Sequence, residues 1–321
     1  MNEWDSYVKG LIKNINENKE AGAVVLGVTG SKEKRKERLR VYMNGGCVLQ
    51  IPLKESMEFV FGNSYFEKKD KDKKVTYCYY DYLDENEISN VQDIINQIKE
   101  NPHAWKGKDN DYLLLDQYLH FMKKATGKKF NESKSNSGLK ERSEQINFYK
   151  KQLTRVLEGF PWAIVDVEFQ TIEKMNYSSE KKKKKRKAEQ KEIHRSKPDF
   201  VAVTEDGFLL VELKTNAKAC EGKAGLKDHT NDLKELIRIN EQNHYIVEEL
   251  QDRLRYVDKY QLYNNNRKNR NVVKGLLNKY SKDLKLYDKY LFISNEALFP
   301  KEIIEEIVKK HNIKKEEYVV L

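Results

Sequence analysis

The spacing of apolar positions divides the chain into stretches of helical period and stretches of strand period. Leu139, Ile146, Tyr149, Leu153 and Val156 recur at intervals of three, four and seven, which predicts a helix over residues 139–157 with one apolar face. Leu233, Leu236, Ile237, Asn240, His244, Val247 and Leu250 keep the same register and predict a long amphipathic helical segment over residues 230–263. Strand period is clearest in residues 162–170, where apolar and polar positions alternate, and in two neighbouring runs, 197–204 and 208–214. The second pair is separated by Glu205-Asp206-Gly207, whose Asp-Gly turn signal predicts a β-hairpin. A further short helix, a strand over 289–294 and a helix over 300–311 follow.

The first half of the chain has its own series. Residues 4–15 read as a helix and 23–28 as a buried strand, while 39–43 and 47–51 read as a hairpin across Asn44-Gly45-Gly46. The tyrosine-rich stretch 75–82 reads as another strand and 88–99 as a helix. Gly27-Val28-Thr29-Gly30 has the glycines of a phosphate loop but not its Gly-Lys-Ser/Thr ending, and is expected to form a turn. The polar stretch 131–138 separates the two series, which predicts an N-terminal α+β domain over 1–130, a linker over 131–138 and an α/β domain over 139–321.

Chemistry concentrates in the hairpin of the second domain. A turn at Asp206-Gly207 sets Asp199 within a residue or so of Glu212 to Lys214 on the facing strand. Side chains alternate along a strand, so Glu212 and Lys214 share one face while Val211 and Leu213 point into a core. The polar face is then expected to be free for chemistry. Two carboxylates are hard oxygen donors suited to Mg²⁺, and a neighbouring lysine supplies a positive charge for a phosphate or for an attacking water. The alternative is a buried ion pair, Glu212–Lys214 or Asp199–Lys214, because a charge in the apolar run 208–213 is costly without a partner.

Pro198-Asp199, twelve intervening residues and then Glu212-Leu213-Lys214 reproduce the pattern of the PD-(D/E)XK nuclease superfamily, and from residue 139 onward the chain resembles that superfamily. The resemblance implies a restriction-endonuclease-like core, a central mixed sheet flanked by helices. It also implies Mg²⁺-dependent hydrolysis of phosphodiester bonds, with Mn²⁺ able to substitute, by a DNA endonuclease of restriction, defence or repair type. Asp199 and Glu212 would hold the metal, and Lys214 would act on the water or the phosphate. The superfamily also carries an acidic residue on the helix before the first strand. Glu141 and Glu144 are the candidates here; Glu144 falls opposite the apolar stripe and Glu141 flanks it, so Glu141 is preferred as the further catalytic acid. An RNase of the same fold and a silent nucleic-acid-binding module are the alternatives. His229 could touch a phosphate or a water, but is expected to be a capping or surface histidine.

Charge sharpens the choice of partner. The 321 residues carry a net charge of +10, and Lys181, Lys182, Lys183, Lys184, Lys185, Arg186 and Lys187 form a run that cannot pack in a core. That run is expected to bind nucleic acid, double-stranded DNA by the resemblance, through its phosphates and with a steep salt dependence. A homodimer is implied by the need to cut two strands. Cys47, Cys78 and Cys220 have neither disulfide nor zinc-ligand spacing. The polar opening of the chain does not read as a secretory leader, and no apolar run approaches the roughly 20 residues of a bilayer span. A cytoplasmic protein without membrane partners is the expectation.

Overall fold

The computed structural model describes residues 2–18, 22–29, 37–44, 46–62, 82–109, 111–132, 163–167, 198–221, 225–262, 267–296 and 299–321. The chain divides into two compact units, Met1–Lys151 and Gln152–Leu321. The expected helix at 139–157, with Glu141 and Glu144, and the basic run from Lys181 to Lys187 lie outside the described residues.

The first unit is a four-stranded antiparallel sheet with helices. Helix α1, Glu3–Glu17, starts where the Asn2 side chain accepts a hydrogen bond from the Asp5 amide at 2.8 Å, and it buries Trp4, Tyr7, Val8, Leu11, Ile12 and Ile15 at helical spacing. Strands β1 (Val24–Thr29), β2 (Arg38–Met43), β3 (Gly46–Pro52) and β4 (Val60–Phe61) pair in sequence order. The β2–β3 hairpin closes at Met43↔Gly46, with Asn44 in the left-handed region at φ 49°. Gly27, Val28 and Thr29 belong to β1, where the register shifts between Leu26 and Val28; the expected turn is instead an irregularity within a strand.

Helix α2, Glu85–Glu100, opens on a capping box between Asp84 and Glu87. Helix α3, Leu113–Glu132, had no counterpart in the sequence reading, and it takes in the first two residues of the expected linker. Its Tyr118 hydroxyl donates to the Val48 carbonyl at 2.6 Å, tying helix to sheet. Residues 75–81 of the expected tyrosine-rich strand lie outside the described residues.

The second unit is built on a mixed five-stranded sheet in the order β5 (Ala163–Val167), β6 (Phe200–Val203), β7 (Gly207–Lys214), β8 (Lys285–Phe292) and β9 (Tyr318–Val320). The first three strands run as an antiparallel meander, and β8 and β9 add parallel to β7. Parallel neighbours need long crossovers. The first is made by α4 (Leu226–Asn243), α5 (Tyr245–Lys259) and α6 (Arg267–Leu277), the second by α7 (Lys301–Lys310). Every residue of β7 is buried, as expected of a central strand with parallel pairing on one side.

Three details depart from the sequence reading. The helical segment 230–263 is two helices, because His244 adopts a left-handed conformation at φ 55° and the Asn240 side chain caps the restart by accepting from the Val247 amide at 3.0 Å. Strand β8 begins at Lys285 rather than 289, and β9 was not foreseen. Gly207 explains the early start of β8: a Cβ there would collide with the Lys285 backbone, so only glycine lets the two strands begin side by side.

Candidate active site at the end of the central strand

The hairpin turns at Glu205-Asp206, where the Thr204 amide donates to the Gly207 carbonyl at 2.9 Å and the Thr204 hydroxyl donates to Asp206 at 2.8 Å. Burial pushes the Asp206 carboxyl up, but hydrogen bonds from Tyr287, Thr204 and Lys285 together hold it below the usual carboxylate range. The turn sets the register Phe200↔Val211. One step further along lie Asp199 and Glu212, at the end of β7 remote from the turn. Asp199 is half-buried, and its Oδ2 accepts from the Leu213 amide at 2.8 Å, so the backbone of one strand fixes the carboxylate of the other.

Glu212 and Lys214 share a face of β7, as alternation requires, but that face is not open. Their side chains are only 3% and 2% exposed. Helix α4 supplies the cover, as crossover helices do in parallel sheets, with His229 and Thr230 of its first turn reaching β7 and β8. Lys214 Nζ lies 3.6 Å from Glu212 Oε2, close enough for strong attraction but too far for a hydrogen bond. The ion pair raised as an alternative by the sequence is therefore present in a loose form.

His229 is the residue the sequence reading misplaced. Its Nδ1 stands 2.5 Å from Glu212 Oε2 and 3.5 Å from Lys214 Nζ. One proton is shared between the two atoms, and with the ring as its Nδ1–H tautomer His229 donates to the Glu212 carboxylate. At 26% exposure the ring is the solvent-facing member of the group. The available signal was Gly225, four residues earlier: a Cβ there would come within 2.7 Å of the Cys220 carbonyl oxygen. A glycine at such a close approach, followed by a polar helix start, marks a loop pressed against the sheet.

The first turn of α4 is held in place from the other side by Thr230. Its hydroxyl donates to the Leu226 carbonyl at 2.6 Å and is contacted by the Tyr290 hydroxyl, which then is the donor of that pair. Burial, together with the charges of Asp288, Glu212 and Glu317, outweighs the hydrogen bond shared with Thr230 and raises the Tyr290 phenol well above its usual value, so it stays protonated. Glu212 pairs with Tyr290 in the β7–β8 ladder, which brings this contact to the edge of the carboxylate site.

Asp199, Glu212 and Lys214 are thus brought together, with His229 added. Glu141 and the basic run are outside the described residues, and among the described residues no group of three or more His, Cys, Asp and Glu side chains is gathered for a metal ion. Asp199 and Glu212 offer two carboxylates, the type of donor by which Mg²⁺ is commonly held, with water completing its shell. Among the described residues no helix is long and apolar enough to cross a membrane. No protein-family model, curated protein or solved structure matches this chain.

Proposed function

We propose that the second unit is a Mg²⁺-dependent nuclease with a restriction-endonuclease-like core, acting as an endonuclease on DNA, with Mn²⁺ able to replace Mg²⁺. The observation that carries this reading is the convergence of Asp199, Glu212 and Lys214 at one end of the central strand. The mixed sheet supports it: an antiparallel meander bearing the acids, followed by a helical crossover to a parallel strand, agrees with the core that the sequence resemblance implies.

Asp199 and Glu212 would hold the metal. When bound, the ion would supply positive charge to phosphate oxygens and acidify a water. Asp199 is held in a fixed orientation by the Leu213 amide and needs little reorganisation to bind. Lys214 cannot swing away, since it is packed beside Glu212, and it offers a fixed cation to the phosphate or the attacking water. The excess of positive charge and the run from Lys181 to Lys187 would hold the nucleic acid, and double-stranded DNA is the substrate proposed, cut by a homodimer of this cytoplasmic protein.

The deciding experiment is cleavage of supercoiled plasmid by the purified chain with Mg²⁺ or Mn²⁺, beside EDTA and Lys214→Ala controls and a matched RNA. Metal-dependent nicking or linearisation lost in the variant establishes a DNA nuclease, and cleavage of RNA alone establishes an RNase. The near-complete burial of Glu212 and Lys214 favours a second reading, a structural ion pair in a silent nucleic-acid-binding module. DNA binding without cleavage of either substrate would establish that one.

A further inference from the structure

Glu212 is buried in an apolar strand, and the partly exposed imidazole of His229 reaches it. A carboxylate that must receive a divalent cation gains from being oriented beforehand, because a freely rotating one loses that freedom on binding. Of the two described side chains beside it, Lys214 attracts Glu212 from 3.6 Å without a directional bond. His229 makes a directional one, of 2.5 Å from Nδ1 to Oε2.

The placement of the ring is itself built. Gly225 lets α4 begin hard against the backbone of Cys220 and Glu221. Thr230, next to His229, is fastened to Tyr290 on β8. The first turn of α4 is therefore fixed at both ends, and the imidazole between them has little choice of position. We infer that His229 is a positioning residue of the site, its Nδ1–H holding the Glu212 carboxylate in the orientation that takes up a divalent cation. This rests on the proposed metal-dependent nuclease and adds to it a residue outside the Asp199, Glu212 and Lys214 pattern.

Hydrogen-bond partners of ligating carboxylates and imidazoles are worth about 10–100-fold in metal affinity when removed. The test is calorimetric titration of Mn²⁺ into the metal-stripped full chain at constant pH, comparing wild type with Asp199→Asn, His229→Gln and His229→Asn. Asparagine sets an amide N–H near the place of the imidazole Nδ1; glutamine carries its amide further out, toward the place of Nε2. Thermal unfolding of the stripped proteins accompanies the titration, and the asparagine variant, the milder change, keeps the comparison open should the glutamine variant unfold.

The expected result is loss of binding in Asp199→Asn, a weakening of about 10–100-fold in His229→Gln, and affinity close to wild type in His229→Asn. Wild-type affinity in His229→Gln, with binding still lost in Asp199→Asn, overturns the role of His229 and leaves the metal site standing. Equal weakening in both His229 variants also overturns it, because the ring's bulk rather than its donor would then matter. Absence of Mn²⁺ binding by the wild type overturns the metal reading and this inference together.

Discussion

Replacing the buried pair with apolar residues separates a functional site from a structural one. Glu212 and Lys214 are almost wholly out of water, so their interaction is little screened. At 3.6 Å and an effective dielectric constant of about 20, their attraction is about 5 kcal/mol. Against this stands the loss of hydration, several kcal/mol for each ion. Removing one partner keeps the other's desolvation and forfeits the attraction, so Lys214→Met or Glu212→Leu alone should cost about 3–5 kcal/mol. The double variant removes both charges and both penalties and fills the strand with side chains of similar size. It is expected to match the wild type or to exceed it by up to about 4 kcal/mol, while nuclease activity is absent. Urea unfolding in EDTA, followed by circular dichroism, reads this as a shift in midpoint at constant slope. A double variant less stable than either single one would refute the reasoning and make the pair a stabilising element of the fold.

Other expectations follow from the same geometry. Gly225→Ala should destabilise the second unit by about 1–3 kcal/mol, because the new methyl meets the backbone of Cys220 and Glu221; an unchanged thermal midpoint would contradict the close approach. Asp206 has a carboxyl held below its usual value, so its contribution is complete above the ordinary aspartate range, about 4, and disappears as pH falls through the lower folded value. Asp206→Asn should therefore be less stable than wild type in urea at pH 7 and indistinguishable from it in strong acid; an equal difference at both would refute the assignment. Neutralising Lys181 to Lys187 with glutamine should lower DNA affinity and flatten its dependence on salt by several units of log–log slope, measured by fluorescence anisotropy. An unchanged slope would remove the run from the interface.

The elements that the sequence revealed most fully are those whose cause is local. The hairpin 200–214 was legible because its apolar runs and its turn lie within fifteen residues, and a tight reversal leaves little freedom over which residues face one another. Helices α1 and α2 were legible for a similar reason, their apolar stripes and caps lying in one segment. The break at His244 was hidden inside an unbroken apolar register, since neither glycine nor proline marks it and the cap comes from the Asn240 side chain folding back. Strand β9 is three residues long and has no period of its own; it exists because β8 offers it an edge.

The candidate site divides along the same line. That Asp199 comes within a residue or so of Glu212 to Lys214 followed from alternation and the nearby turn; the exact register, with the turn at Glu205-Asp206 rather than Asp206-Gly207, came from the fold. That the polar face of β7 is buried, and that His229 bonds to Glu212, required α4 to fold back over the sheet, a contact between segments that no local pattern encodes. A strand's period tells which side chains share a face. Only packing decides whether that face meets water, a helix or a ligand, because burial depends on what the rest of the chain brings to it.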